Sequence, residues 1–213
     1  MKIRNIAFEF IGSATLLIGV VGSSFMASNL TADKALALLI NASVTAATLG
    51  IIIKVGAPVS GAHFNPVVTL ANVLLRKIPI STAVQYFFSQ ICGAALGVII
   101  ANAMFSSTII GNSSINRSGS GLFLAEIVAT TGLVYLALTS TEKSVWKLIP
   151  LWIFAAYFFT SSTSFANPAV TLSRVLTDSP AGISNSSVPA FLLAQILGAL
   201  LALGFITLEK KNV

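Results

Sequence analysis

Charged residues are scarce in this chain. Only 8% of its 213 residues are Asp, Glu, Lys or Arg, whereas 55% are hydrophobic. A typical soluble domain carries roughly a quarter charged residues. Too little polar sequence remains outside the apolar runs to form a separate soluble domain, so the composition indicates a polytopic membrane protein.

Chemically reactive side chains are also few. One cysteine, Cys92, excludes an intrachain disulfide, and His63 is the one histidine of the sequence. The sequence contains no pattern of nucleophile and base, no cluster of metal ligands and no phosphate-binding loop. We therefore expect no enzymatic activity and no cofactor. The net charge of +6 has no basic run or aromatic platform beside it, which argues against a nucleic-acid partner.

Six apolar stretches are long enough to cross a bilayer, because a hydrocarbon core of about 30 Å needs about 20 helical residues. The polar connection 106–118 predicts a solvated loop between two halves. The predicted fold is therefore an all-α membrane fold in a single domain, residues 1–213, with repeats 1–110 and 119–213. The six predicted spans are approximately Ile6–Phe25, Ala35–Ile53, Ile78–Phe105, Gly119–Ser140, Val145–Thr163 and Val188–Leu208.

A ten-residue segment occurs twice, as Asn65–Leu74 and as Asn167–Leu176. Seven of its ten positions are identical. Asn followed by Pro is a strong signal for a helix start, because the Asn oxygen caps free N–H groups and Pro suits the first helical position. Each segment is too short to cross a bilayer and lies between two predicted spans. We therefore expect two re-entrant half-helices.

The two halves also match in their buried polar residues. Each half contains three spans, an odd number, so the second half enters the membrane from the opposite side. This pattern predicts inverted repeats with a site near the midplane. The matching positions are Glu9 with Glu126 and Gln90 with Gln195.

The distribution of Lys and Arg predicts the orientation in the membrane. With the N-terminus inside, nine of the 12 lie on the inner side, and Lys34, Arg117 and Arg174 lie on the outer side. We therefore expect cytoplasmic N- and C-termini, and attraction to anionic head groups of the lipid bilayer.

Two half-helices that meet at the midplane must bound a cavity or a pore, because irregular backbone at that depth is otherwise unsatisfied. Their positive ends, each equivalent to about half an elementary charge, repel cations. The amides of Asn65 and Asn167 can donate hydrogen bonds to a neutral solute. Two rival interpretations are a coupled transporter, with Glu9 and Glu126 as a proton relay, and a non-conducting scaffold.

The segments Ser60–Val67 and Ser164–Ala169 resemble the two signature loops of the major intrinsic protein family, the aquaporins and aquaglyceroporins. Val67 departs mildly from the usual Ala. The resemblance implies a passive channel for small neutral solutes and water in the plasma membrane, the inner membrane of a bacterium. It also implies a homotetramer with one pore in each subunit.

The resemblance also assigns positions along the pore. Glu9 and Glu126 would hold the two loops in place. Backbone carbonyls would form a ladder of acceptors along one wall, supplied by Gly61, Ala62, His63, Thr163, Ser164 and Phe165.

The family's outer constriction usually carries an Arg directly after the second Asn-Pro-Ala, but Val170 stands there in this chain. The family's spacing places the other constriction residues at Thr45, at Ser164 and at Ala155, with Ala156 possible if the loop is offset. None is charged or bulky. We therefore expect a wide apolar filter.

Such a filter favours hydroxylated solutes larger than water. The segment 157–166 followed by Val170 resembles a bacterial branch associated with arsenic metabolism, which suggests neutral arsenite or methylated arsenicals as solutes. Glycerol-like polyols are the alternative solutes, and an ordinary water channel is the alternative function.

Three further features allow specific hypotheses. Arg174 lies one turn beyond Val170. It either places a cation at the outer mouth of the pore, or it has no pore function and extends to the membrane interface or pairs with Asp178. His63 either gates the pore by protonation or makes a structural hydrogen bond. The spacing of the small residues Gly93 and Gly97 predicts a close helix crossing.

Overall fold

The computed structural model describes residues 3–211. These residues form eight α-helices and two 3₁₀ helices, without any strand. The α-helices are α1 (Ile3–Leu30), α2 (Lys34–Ser60), α3 (Pro66–Leu74), α4 (Ile80–Met104), α5 (Ser120–Thr139), α6 (Glu142–Phe159), α7 (Pro168–Ser173) and α8 (Val188–Lys211), and the 3₁₀ helices are Arg174–Leu176 and Asn185–Ser187.

The six long helices coincide with the six predicted spans, which confirms the predicted fold class. Five of the described helices are long and apolar enough to cross a membrane. The sixth long helix, α6, has 18 residues, or about 27 Å, and its first turn carries Glu142 and Lys143. α2 continues beyond its predicted end at Ile53, until Gly61 takes a left-handed φ of 89° and its N–H donates to the Ala57 carbonyl.

The helices pair in the same way in both halves. α1 packs on α4, α5 packs on α8, and α2 contacts α6 across the two halves. A Cβ atom at Gly93 or Gly97 would collide with the carbonyl oxygens of Phe10 and Ala14 on α1. The predicted close crossing at these glycines is therefore confirmed.

The two half-helices, α3 and α7, begin as the repeated segment predicts. The side-chain oxygen of Asn65 accepts a hydrogen bond from the N–H of Val67 at 3.0 Å, and that of Asn167 accepts one from Ala169 at 2.9 Å. Such caps contribute about 1 kcal/mol each. The two half-helices contact each other, so both caps lie at the centre of the bundle.

The connection 106–118 is mostly exposed, as predicted, but it is anchored to the segment that follows α7. The N–H groups of Gly111 and Ser113 donate to the carbonyls of Leu176 and Val175, at 2.9 and 3.0 Å. The Nε of Arg117 donates to the Gly182 carbonyl at 2.8 Å. The loop between the halves is thus tied to the segment that follows α7.

Candidate pore and its supports

Asn65 and Asn167 join the two half-helices through reciprocal hydrogen bonds. Nδ2 of Asn65 donates to the Ala166 carbonyl, and Nδ2 of Asn167 donates to the Phe64 carbonyl, both at 2.8 Å. An amide nitrogen carries two N–H groups. One is therefore used in this crossed pair, and the other remains for a solute in the cavity that both residues line.

Glu9 holds the first loop. One carboxylate oxygen accepts from the Ser60 hydroxyl at 2.6 Å and from the His63 N–H at 3.0 Å. The other accepts from the Phe64 N–H and from the Gln90 side chain, both at 2.7 Å. All four partners are donors, so the geometry is that of an ionised carboxylate with a supporting function.

Glu126 makes the same set of bonds in the second half. Its oxygens accept from the Ser162 hydroxyl at 2.7 Å and from the N–H groups of Phe165 and Ala166 at 2.9 Å. The Gln195 side chain completes the set at 2.7 Å. A proton relay needs a chain of exchangeable groups, whereas these acceptors are fully occupied. The arrangement agrees with the loop-holding function implied by the family resemblance.

Two Gln and two Thr residues, to which the sequence alone assigned no function, complete these supports. Gln90 also donates to the Thr69 hydroxyl at 3.0 Å, and Gln195 donates to that of Thr171 at 2.8 Å. Each Thr in turn donates to the carbonyl of its own cap residue. The signal was present, because each Thr lies four residues after an Asn of the repeated segment and each supporting Ser lies five residues before it. Residues at the same offset from the Asn in both repeats are expected to occupy equivalent positions in the two halves.

The two loops hold an unusual backbone. Five of their non-glycine residues have φ between 47° and 60°, namely Ala62, Phe64, Thr163, Ser164 and Ala166. Such strain costs on the order of 1 kcal/mol or more at each residue, and the Glu9 and Glu126 bonds offset it. Six loop residues line the cavity beside the Asn pair, and the carbonyl of one of them, Phe64, accepts from Asn167. Within residues 3–211, no donor reaches the carbonyl oxygens of the other five, which are Gly61, Ala62, His63, Ser164 and Phe165.

The cavity has a volume of about 250 Å³. It extends along both half-helices, from Asn72 on α3 to Arg174 beyond α7. The loops and the Asn pair form its polar side. Mostly apolar side chains of the long helices line the rest, among them Leu16, Val20, Leu49, Ile53, Leu133 and Ile149.

Thr45, Val170 and Ser164 lie in the cavity wall as predicted. The hydroxyl oxygen of Ser164, however, is buried and has no partner among the described residues. Thr163 is absent from the wall. It is the one predicted ladder residue that the structure does not bring to the cavity.

The prediction for the fifth span was wrong. Ala155 lies on the exposed face of α6, and Ala156 is buried but does not line the cavity. Tyr157 lines it instead. Two residues along a helix differ in direction by about 200°. A difference of two residues in loop length therefore moves the predicted position to the opposite side of the helix. The cavity wall therefore includes a bulky side chain with a hydroxyl group at this position of α6.

Arg174 neither snorkels to a polar surface nor pairs with Asp178. Its side chain is only 3% exposed, and its guanidinium carbon lies 3.5 Å from the centre of the Phe165 ring. Its Nε donates to the Ala181 carbonyl. Asp178 instead accepts from Ser114.

His63 makes the predicted structural hydrogen bond. Its Nδ1 lies 3.0 Å from the Thr69 hydroxyl oxygen. Its ring packs edge-on against Tyr86, with 5.4 Å between the ring centres. The ring lines the cavity, but these contacts fix its orientation.

Six long helices around two half-helices, whose capped ends meet at a lined cavity, define a membrane channel. The chain belongs to the major intrinsic protein family, because the family model matches residues 1–164. Members of this family are channels and not enzymes.

Two relatives and one solved structure illustrate the similarity. Aquaglyceroporin AqpS of Rhizobium meliloti (strain 1021) is 41% identical over 203 residues, which cover 94% of this chain and 87% of the relative. Aquaporin A of Dictyostelium discoideum is 27% identical over 206 residues, covering 91% and 74%. The X-ray structure of the aquaglyceroporin from Plasmodium falciparum superposes with a TM-score of 0.78 at 19% identity, over 95% of this chain and 94% of that chain.

Proposed function

We propose that this channel passes small neutral hydroxylated solutes larger than water, together with water itself. The candidates are neutral arsenite, methylated arsenicals and glycerol-like polyols. One observation carries the proposal: Val170 lines the cavity where relatives usually place an arginine. Similarity to an aquaglyceroporin over most of the chain agrees with it.

The chemistry of the cavity suits such solutes. One side offers a row of unpaired carbonyl acceptors and the free N–H groups of Asn65 and Asn167. The other side is mostly apolar and cannot replace the hydration shell of an ion, whose transfer into such surroundings is very unfavourable. A compact molecule with several hydroxyl groups and a nonpolar flank exchanges hydrogen bonds with the polar side and contacts the other.

The experiment is stopped-flow light scattering on proteoliposomes with water, glycerol and arsenite in parallel. We expect wild type to pass at least one solute larger than water and Val170→Arg to lose that flux, because arginine fills the constriction and adds a charge. Val170→Met is the matched control, since it adds length without charge. Loss in both variants assigns the effect to width, and loss in Val170→Arg alone assigns it to charge.

Wild-type flux confined to water would contradict the proposal and indicate an ordinary water channel. Flux that depends on a proton or sodium gradient would instead favour a coupled transporter. A passive channel responds only to the gradient of the solute.

We further propose that the protein is a homotetramer in the plasma membrane, the inner membrane if the source is bacterial, with cytoplasmic termini. Residues 1–110 and 119–213 are the inverted repeats of its single domain. The excess of Lys and Arg on one side supports the orientation, and family resemblance supports the tetramer. Mass determination of the protein in detergent tests the oligomeric state.

A further inference from the structure

We propose that Arg174 supplies the fixed positive charge of the outer pore, one turn beyond the position at which the family's arginine usually stands. From there it rejects cations and protons and offers hydrogen-bond donors to an entering solute. The inference rests on the proposed channel function, but its reference measurement is water permeation, which does not depend on the identity of the larger solute.

Arg174 lies beyond Val170 on the wall of the same cavity. The residue lines the same cavity as Val170, four positions earlier, and four residues bring two side chains to the same face of a helix. The backbone N–H of Arg174 donates to the Val170 carbonyl, so the helical turn between the two residues is intact. The guanidinium group is therefore beyond the valine along the pore wall.

Two contacts hold the guanidinium of Arg174 in place and leave two of its nitrogens without a partner in the described part of the chain. Nε donates to the Ala181 carbonyl, and the plane lies over the Phe165 ring. Both contacts fix the group in place, and cation–π contacts of this kind stabilise a charge. None of the hydrogen bonds among the described residues uses Nη1 or Nη2 of Arg174, and neither atom is among those fully shielded without a partner. These nitrogens are therefore accessible donors at the cavity.

No described carboxylate is in contact with the guanidinium of Arg174. Among residues 3–209, whose side chains the structure describes, no carboxylate forms an ion pair with it within 4.0 Å. Glu126 is occupied by its four donors, and Asp178 accepts from Ser114. Burying an unpaired charge is unfavourable, and an apolar residue would fill the space without that cost. A cation-rejecting function gives the charge a reason to be there.

Arg117 offers a matched comparison. Its guanidinium carbon also lies near the Phe165 ring, at 5.1 Å from the ring centre. Its nitrogens, however, donate to the carbonyls of Gly182 and Pro180, and it does not line the cavity. Removing it deletes a similar charge and similar loop contacts outside the pore wall.

The test compares wild type, Arg174→Gln, Arg174→Lys and Arg117→Gln in proteoliposomes. Proton flux is measured with an internal pH dye under a potassium diffusion potential, and water permeation is measured on the same vesicles. A unit charge about 5 Å from the pore axis, at an effective dielectric constant of about 20, changes monovalent cation flux on the order of 100-fold. We expect proton flux to rise by a factor of about 10 to 100 in Arg174→Gln, while Arg174→Lys and Arg117→Gln remain near wild type.

Proton flux at the wild-type level in Arg174→Gln vesicles that still conduct water would overturn the proposal. An equal rise in Arg117→Gln would overturn it as well, because the effect would then come from the loop. If Arg174→Gln conducts no water, Arg174→Met replaces it, because that variant also removes the charge. Proton leakage with intact water permeation then supports the proposal, and wild-type proton flux refutes it. Leakage in a water-conducting Arg174→Lys, which keeps the charge, refutes it as well. These interpretations of proton flux still hold if no solute larger than water is found to permeate.

Discussion

The hydroxyl oxygens of Tyr157 and Thr45 lie 3.1 Å apart and join α6 to α2 on the wall of the pore. Both side chains are buried and both line the cavity. The hydrogen bond fixes the orientation of the Tyr157 ring in the cavity wall, to which Val170 also contributes. The width of the cavity therefore depends on one tyrosine as well as on the absence of an arginine at position 170.

We predict that Tyr157→Ala admits larger polyols. Loss of the ring widens the constriction, and the permeation ratio of a five-carbon polyol to glycerol should rise several-fold in stopped-flow measurements. Aromatic-to-alanine changes in a core destabilise by about 3–5 kcal/mol, so a lower melting temperature is also expected. Phe158→Ala, a neighbouring ring that is 49% exposed, is the control. An unchanged size cutoff in Tyr157→Ala would show that the constriction lies elsewhere.

We predict that Glu126→Gln disrupts the second loop. The new amide N–H group would face donors such as the N–H of Ala166 or the amide of Gln195. Hydrogen bonds to charged groups contribute about 1.5–3 kcal/mol each. We therefore expect a large fall in thermal stability in detergent and loss of solute flux.

The control for this carboxylate is Glu142→Gln at the exposed start of α6. It should change stability by no more than about 0.5 kcal/mol. Equal stability of the two variants in a thermal melt would mean that the four bonds of Glu126 do not stabilise the loop.

A third prediction concerns the close approach of α1 and α4. Gly97→Ala would place a methyl group against the Ala14 carbonyl, and overpacking of this kind costs about 1–3 kcal/mol. Gly204→Ala on α8 has nothing within 4 Å, so it should be neutral or slightly stabilising, since alanine favours helix by up to about 1 kcal/mol. Thermal unfolding of both variants tests the contrast. A Gly97→Ala protein as stable as wild type would mean that the helices can separate without cost.

The proposed orientation is testable with single cysteines. Cys92 is exposed, so it is first replaced by Ser. A membrane-impermeant maleimide added to intact cells should label Ser118→Cys, in the loop between the halves, and should leave Ser140→Cys, between α5 and α6, unlabelled. The reverse pattern would invert the topology and would contradict cytoplasmic termini.

The sequence was sufficient for the helices and their caps because these depend on local signals. The spans follow from hydropathy and the caps from Asn-Pro. Glu9 and Glu126 were paired by their matching positions in the two halves, but their loop-holding function was implied by the family resemblance. The inward-facing side of α6 could not be predicted in this way, because Val145–Thr163 is apolar on every side and no polar stripe identifies its inner face. Tyr157 was therefore missed in favour of Ala155.

Arg174 shows a second limit. Its spacing from Val170 indicated a shared face, but its contacts are with Phe165 and the Ala181 carbonyl, which belong to two different loops. Such packing depends on tertiary structure. The nearby Asp178 offered a local partner in the sequence that the fold does not use.

The crossed amide bonds at the midplane also set an order of events during synthesis. Glu9 and its partners all lie within the first 90 residues, so the first loop can be held before the second half emerges. The bonds of Asn65 and Asn167 reach across 101 and 103 positions. A nascent or truncated chain that ends before Ala166 has no acceptor for Asn65 and no second wall. The wall of the cavity is therefore complete only after residues of both halves have been synthesised.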